Sequence, residues 1–140
     1  MSGNKKILVD ADALIGLINQ NDALHQQCLG IVAAISKNNL ETIILPSTIL
    51  EAATALSRGA KRPDLAKQLL SDYAHLEHLP PPPEIFRDLS DIYSPSSSTA
   101  NTPFDYFLIA YAKIKHITVI FSFDQFYIKH GFSLAKELLK

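Results

Sequence analysis

Hydrophobic positions along this chain alternate between short continuous runs and helical spacing. Ile7-Leu8-Val9 is an apolar run ended by Asp10 and reads as a buried parallel strand. A helix from about Asp12 to Ile18 follows. Asn19 to Asp22 is a polar break, with Asp22 placed to cap a helix from Ala23 to about Lys37. In that helix Leu24, Cys28, Ile31, Val32 and Ile35 share one face. Thr42 to Leu45 is a second strand, stopped by Pro46. Thr48-Ile49-Leu50-Glu51 then has the form of a capping box opening a helix through Ser57.

The second half continues the alternation. Pro63 to Ala74 reads as a helix with proline in its first turn. Leu76 to Leu79 is a short strand candidate, Pro80 to Pro83 a stiff connector, and Glu84 to Tyr93 helical. Ser94 to Asn101 is polar and lacks apolar periodicity, so it is a loop. Thr102-Pro103 opens a helix to about Lys115, and Thr118 to Phe121 is a strand of β-branched and aromatic residues. Gly131 marks a turn, after which the remainder is a strand, a helix or both. Strands alternating with helices specify an α/β class with a parallel sheet. In such sheets ligands bind beyond the carboxyl ends of the strands.

Composition supports this picture without adding chemistry. With 140 residues, 47% hydrophobic and 19% charged, the chain suits one core-forming domain and not a disordered one. The net charge of -1 does not announce nucleic acid, although clustered active-site acids would offset basic residues that track phosphates. Cys28 has no disulfide partner and no metal-ligand spacing, and reads as a small buried side chain in a reducing, cytoplasmic protein. Asp10 and Asp12 interrupt the first apolar stretch, so neither a targeting segment nor a membrane span is expected.

The acids do change the picture. Asp10 ends the first strand, Glu51 lies in the first turn of the helix after the second, Asp105 lies in the first turn of the helix from Pro103, and Asp124 follows the last clear strand. Each alone is explained as a helix cap, contributing about 0.5–2 kcal/mol. Caps do not explain their joint position beside strand ends. Asp105 joins the others only if its helix starts at the same sheet edge. Carboxylates brought together repel unless a cation neutralises them, which makes Mg²⁺ or Mn²⁺ the fitting partner.

These residues carry a family resemblance. Ile7-Leu8-Val9-Asp10-Ala11-Asp12-Ala13-Leu14-Ile15, Pro46-Ser47-Thr48-Ile49-Leu50-Glu51, Phe104-Asp105-Tyr106-Phe107-Leu108-Ile109-Ala110-Tyr111-Ala112 and Val119-Ile120-Phe121-Ser122-Phe123-Asp124 resemble, in order and spacing, the four motifs of PIN domains. The resemblance spans residues 7 to about 132. It departs at Ala11, where many members carry Thr or Ser, and at Asp12, where many carry Asn or Ser. Asp12 is read as a helix cap or a fifth carboxylate, the cap being the simpler role.

The resemblance implies a single PIN-like domain over residues 1–140, with a central, mostly parallel sheet flanked by helices on both faces. It implies an endoribonuclease in which Asp10, Glu51, Asp105 and Asp124 hold Mg²⁺ or Mn²⁺, and Ser122 orients a carboxylate or a metal-bound water. It also implies an RNA substrate, an antitoxin protein as partner if the chain is a toxin, and a homodimer. Arg58, two helical turns beyond Glu51, forms with Lys61 and Arg62 the densest basic patch, suited to RNA phosphates or to a solvated helix end. Two alternatives remain. One is a PIN-like module that binds RNA or protein without cutting. The other is a phosphatase of haloacid-dehalogenase type, built on Asp10-Ala11-Asp12 but lacking the usual Gly-Thr pair after it. The scattered histidines read as surface or packing residues.

Overall fold

Two short strands, apolar and buried except for the exposed Lys6 that opens the first, organise the molecule. The computed structural model describes residues 5–77, 80–95 and 101–140. Strand β1 (Lys6–Val9) and strand β3 (Val119–Phe121) lie side by side at the centre of a sheet ordered β2-β1-β3-β4, with β2 at Glu41–Ile43 and β4 at Ser133–Leu134. All three pairings are parallel, and Ile7 faces Val119, Leu8 faces Ile120 and Val9 faces Phe121.

The alternation of side chains along each strand serves two layers at once. Ile7, Val9, Val119 and Phe121 enter one core, shared with helices α1 (Ala11–Ile18), α2 (His25–Lys37), α3 (Pro46–Arg58) and α4 (Pro63–Asp72). Leu8, Ile120 and Leu134 enter the other, with α5 (Ile85–Ile92), α6 (Pro103–Ile114) and α7 (Phe126–Lys129). The expected α/β fold, a parallel sheet with helices on both faces, is therefore the one observed. Central strands buried on both faces read as continuous apolar runs for this reason. Leu8 is wholly buried, and truncation to Ala would cost about 2–5 kcal/mol.

Some boundaries differ from the sequence reading. Pro46 does not merely end β2; it is the first residue of α3, whose N-cap is Leu45. Proline suits the first helical turn because its missing N–H would have no partner there. Thr48 and Glu51 therefore form no capping box, and Glu51 sits in the second turn. Helix α2 starts at His25, while the Asp22 carboxylate accepts from the Leu24 N–H and shapes the turn before it. Leu76 and Glu77 form no strand, and the rest of that expected strand, with Ser96–Ala100 of the loop, lies outside the described residues.

Close packing fixes the helical layer over β1. A Cβ on Gly16 would approach the Cys28 sulfur to 2.6 Å, so the α1–α2 contact requires glycine there. Burial pushes the Cys28 thiol up to about 11, which leaves it an inert packing group. At the other end of the chain, β4 leads into a 3-10 helix (Ala135–Leu139), so the remainder is both strand and helix. No helix among the described residues is long and apolar enough to cross a membrane.

Candidate metal centre

Strand order reverses direction between β1 and β3, because the chain passes from β1 to β2 on one side and reaches β3 on the other. The carboxyl ends of two such neighbours diverge into a crevice. Asp10 leaves β1 there, its N–H still donating to the Phe121 carbonyl at 3.0 Å. Ser122 and Asp124 leave β3 beside it. The N-terminus of α6 brings Asp105 to the same edge, and the second turn of α3 brings Glu51.

The structure gathers Asp10, Glu51 and Asp105. One carboxylate oxygen from each lies within 4.8 Å of the others. Asp124 adjoins this group without sharing that mutual spacing: its Oδ2 accepts from Asn101 Nδ2 at 3.1 Å, and the same amide reaches Asp105 Oδ2 at 3.5 Å.

Local folding explains each placement. Asp10 is the N-cap of α1, and its Oδ1 accepts the Ala11 N–H at 2.8 Å. Asp105 accepts the Thr102 N–H at 2.9 Å, the half of a capping box expected from Thr102-Pro103-Phe104-Asp105. Asp124 Oδ1 accepts the Phe126 N–H at 2.9 Å and so starts α7. These acids are caps and also members of the cluster; the two roles coexist. Glu51 differs, its carboxylate making no hydrogen bond with the described residues.

The electrostatics follow from burial and crowding. Burial first, then the neighbouring Asp12, push the Asp10 carboxyl up to about 7. Burial, then Asp10 and Asp105, push Glu51 up to about 8. Asp105 is also raised, chiefly by burial, against the lowering hydrogen bond from Thr102. An all-oxygen donor set is the kind that hard cations prefer. Ligands on one Mg²⁺ at about 2.1 Å lie about 3–4.2 Å apart, which the three oxygens can meet. The residues therefore fit a divalent cation.

Two neighbours, Tyr127 and Asn101, were not found as site residues in the sequence, and a third, Asp12, was read there as a helix cap or a fifth carboxylate. Tyr127 is wholly buried, and its hydroxyl donates to Asp10 Oδ2 at 2.9 Å with Asp105 Oδ1 at 3.4 Å. Asn101 ties Asp105 to Asp124. Asp12 does not cap α1; its Oδ2 accepts from Ser122 Oγ at 3.0 Å and from the Phe123 N–H at 2.8 Å. Ser122 in turn accepts the Asp124 N–H at 3.2 Å, so it orders the segment that carries Asp124. These contacts hold Asp12 Oδ2, while its Oδ1 is buried without a hydrogen-bond partner among the described residues.

The histidines placed by hydrogen bonds serve packing. His25 Nδ1 pairs with the Gly16 carbonyl and His130 Nδ1 with that of Phe126. Of the basic patch, Arg58 and Lys61 are exposed, while Arg62 is held by Asp64 at 2.9 Å. An open concavity of about 660 Å³ lies at the β2 edge, lined by residues including Ile43, Tyr73 and Tyr111, and includes none of the four acids.

The family described as PIN domain matches residues 7–132. The chain belongs to the PIN-domain family. Its fold is also similar to the crystal structure of VapC20 of Mycobacterium tuberculosis, described as a toxin that cleaves the sarcin-ricin loop, with a TM-score of 0.73 and 18% identity. The similarity covers 90% of this chain and 95% of VapC20. At that identity it establishes the shared PIN fold. No curated protein sequence matches the chain.

Proposed function

We propose that this PIN domain is a divalent-cation-dependent endoribonuclease that hydrolyses RNA phosphodiester bonds and serves as the toxin of a toxin–antitoxin pair. The observation that carries this reading is the convergence of Asp10, Glu51 and Asp105 at the strand-order reversal. Family membership and the VapC20 fold support RNA as the substrate and an antitoxin protein as partner.

A bound Mg²⁺ or Mn²⁺ would supply Lewis acidity and a water made acidic enough to deprotonate near neutral pH. Asp10 and Asp105 are pre-oriented by backbone N–H donors at the starts of two helices, so little reorganisation opposes binding. Glu51 is unrestrained and can bind directly or hold a water. Asp124 completes the acidic set from the side, steered by Asn101 and Ser122. Exposed Arg58 and Lys61 supply positive charge on the Glu51 side for RNA phosphates. A homodimer belongs to the same proposal, in keeping with family membership.

The decisive test incubates purified chain with structured and single-stranded RNA in Mg²⁺, Mn²⁺ or EDTA, beside Asp10→Asn and Asp105→Asn. Cleavage requires the cation and falls roughly a thousandfold in each folded variant, the equivalent of several kcal/mol of lost charge stabilisation. Equal cleavage by wild type and variants would reject the assignment.

A further inference from the structure

The most deeply buried polar contact in the centre belongs to a residue outside the acidic set. Tyr127 lies on α7, between β3 and β4, far in sequence from Asp10. Its position is over-determined. The Asp124 carboxylate fixes the start of α7 through the Phe126 N–H. The helix ends in a pair of bonds, Gly131 N–H to the Ile128 carbonyl and Phe132 N–H to the Tyr127 carbonyl, with Gly131 at φ 92. The ring packs edge-on against Phe126, centroids 5.3 Å apart. Held this way, the hydroxyl is delivered between two carboxylates.

The chemistry of that hydroxyl is specific. A phenol carries one proton to donate, and here it meets two acceptors, Asp10 Oδ2 at 2.9 Å and Asp105 Oδ1 at 3.4 Å. Burial, then the charges of Asp10 and Asp105, push its ionisation far upward, so it remains a neutral donor. A lysine in this place would also bridge the acids, but it would neutralise them and compete with a cation. A phenol orients both and leaves their negative charge available.

We propose that Tyr127 is a positioning residue of the cation site, its hydroxyl bridging Asp10 and Asp105 and setting the separation at which they present oxygens to a divalent cation. This rests on the reading of the acidic cluster as a cation site. Partners that orient metal ligands typically change affinity by about 10–100-fold when lost.

The test measures Mn²⁺ binding to RNA-free full-length protein by calorimetry and by the Mn²⁺ electron-spin signal, comparing wild type with Tyr127→Phe. That substitution removes one oxygen and keeps the ring. Mn²⁺ affinity falls about 10–100-fold, and the Mn²⁺ concentration for half-maximal RNA cleavage rises with it, while the rate at saturating Mn²⁺ returns to near wild type. Tyr111→Phe, another tyrosine of the same core, leaves Mn²⁺ affinity unchanged. If Tyr127→Phe does not fold, Tyr127→Leu supplies the second oxygen-free variant. Unchanged Mn²⁺ affinity in the folded variant, with or without lost thermal stability, overturns the positioning role. A wild-type chain that binds no Mn²⁺ overturns the cation site and the role together. Wild type that binds Mn²⁺ more tightly than Tyr127→Phe but cleaves no RNA sustains the role and rejects the nuclease.

Discussion

Two hydroxyl–carboxylate units sit side by side at the carboxyl edge of the sheet, and they behave in opposite ways. In one, Ser122 donates to Asp12, the Phe123 N–H donates to the same oxygen, and Ser122 accepts from the Asp124 N–H. In the other, a single phenol faces both Asp10 and Asp105, with Glu51 close by. The first unit has two donors converging on one carboxylate oxygen and ties α1 to the segment after β3. The second crowds three carboxylates together, and its donors, from Ala11, Tyr127, Thr102 and Asn101, all serve Asp10 and Asp105, leaving the Glu51 carboxylate without one among the described residues. The same functional groups therefore tie two segments together in one place and form a crowded acidic cluster, the proposed cation site, in the other. The crowding of carboxylates separates them.

Substitutions should separate the two units, with the greatest contrast in catalysis. Asp10→Asn removes RNA cleavage about a thousandfold, yet leaves the melting temperature of the cation-free chain at pH 8 unchanged or raised, because it relieves repulsion. A large loss of thermal stability in that variant would erase the contrast. Asp12→Ala works the other way. It strands the Ser122 hydroxyl and the Phe123 N–H, and lowers unfolding free energy by about 1–3 kcal/mol in urea titrations. Ser122→Ala should show a smaller loss of about 0.5–1.5 kcal/mol by the same measurement.

The pH response sharpens the comparison further. Asp10 and Glu51 have folded-state values of about 7 and about 8, above their ordinary 3.8 and 4.5. Between those limits the folded chain keeps protons that the unfolded chain has released. Their contribution to stability is therefore full at acid pH and is lost as pH rises through 7 and 8. Thermal melts of the cation-free protein should decline over that window. Saturating Mn²⁺ should restore stability at pH 8 and do little near pH 5, where protons compete for the same oxygens. A flat profile in Asp10→Asn with Glu51→Gln would assign the slope to these two groups.

Much of this architecture was legible because the central strands leave few choices. Ile7-Leu8-Val9 and Val119-Ile120-Phe121 are apolar at every position, as strands buried on both faces must be, and Asp10 and Asp124 mark where each run ends. Asp105 was legible through its capping motif. The start of α3 was not, because Thr48 and Glu51 imitate a cap, while Pro46 reads equally as a strand stop and a helix start. Asp12 resembled a cap for the same local reason, yet its partners lie across the sheet. Tyr127 and Asn101 carry no local signal: Tyr127 looks like any core aromatic, and Asn101 like any loop residue. Their roles exist only through contacts between distant parts of the chain.

The pairing of Val9 with Phe121 has a consequence for how the molecule is assembled. Shifting β3 by one residue would exchange the side chains facing the two cores and carry Ser122 and Asp124 away from Asp10. A chain collapsed with that error could keep most of its helices and still lack the acidic centre. A cation bound at that centre would then reward only the correctly registered sheet. In refolding experiments Mn²⁺ should retard escape from the native state more than it hastens arrival, as expected of a site joined from residues as distant in sequence as Asp10 and Asp105.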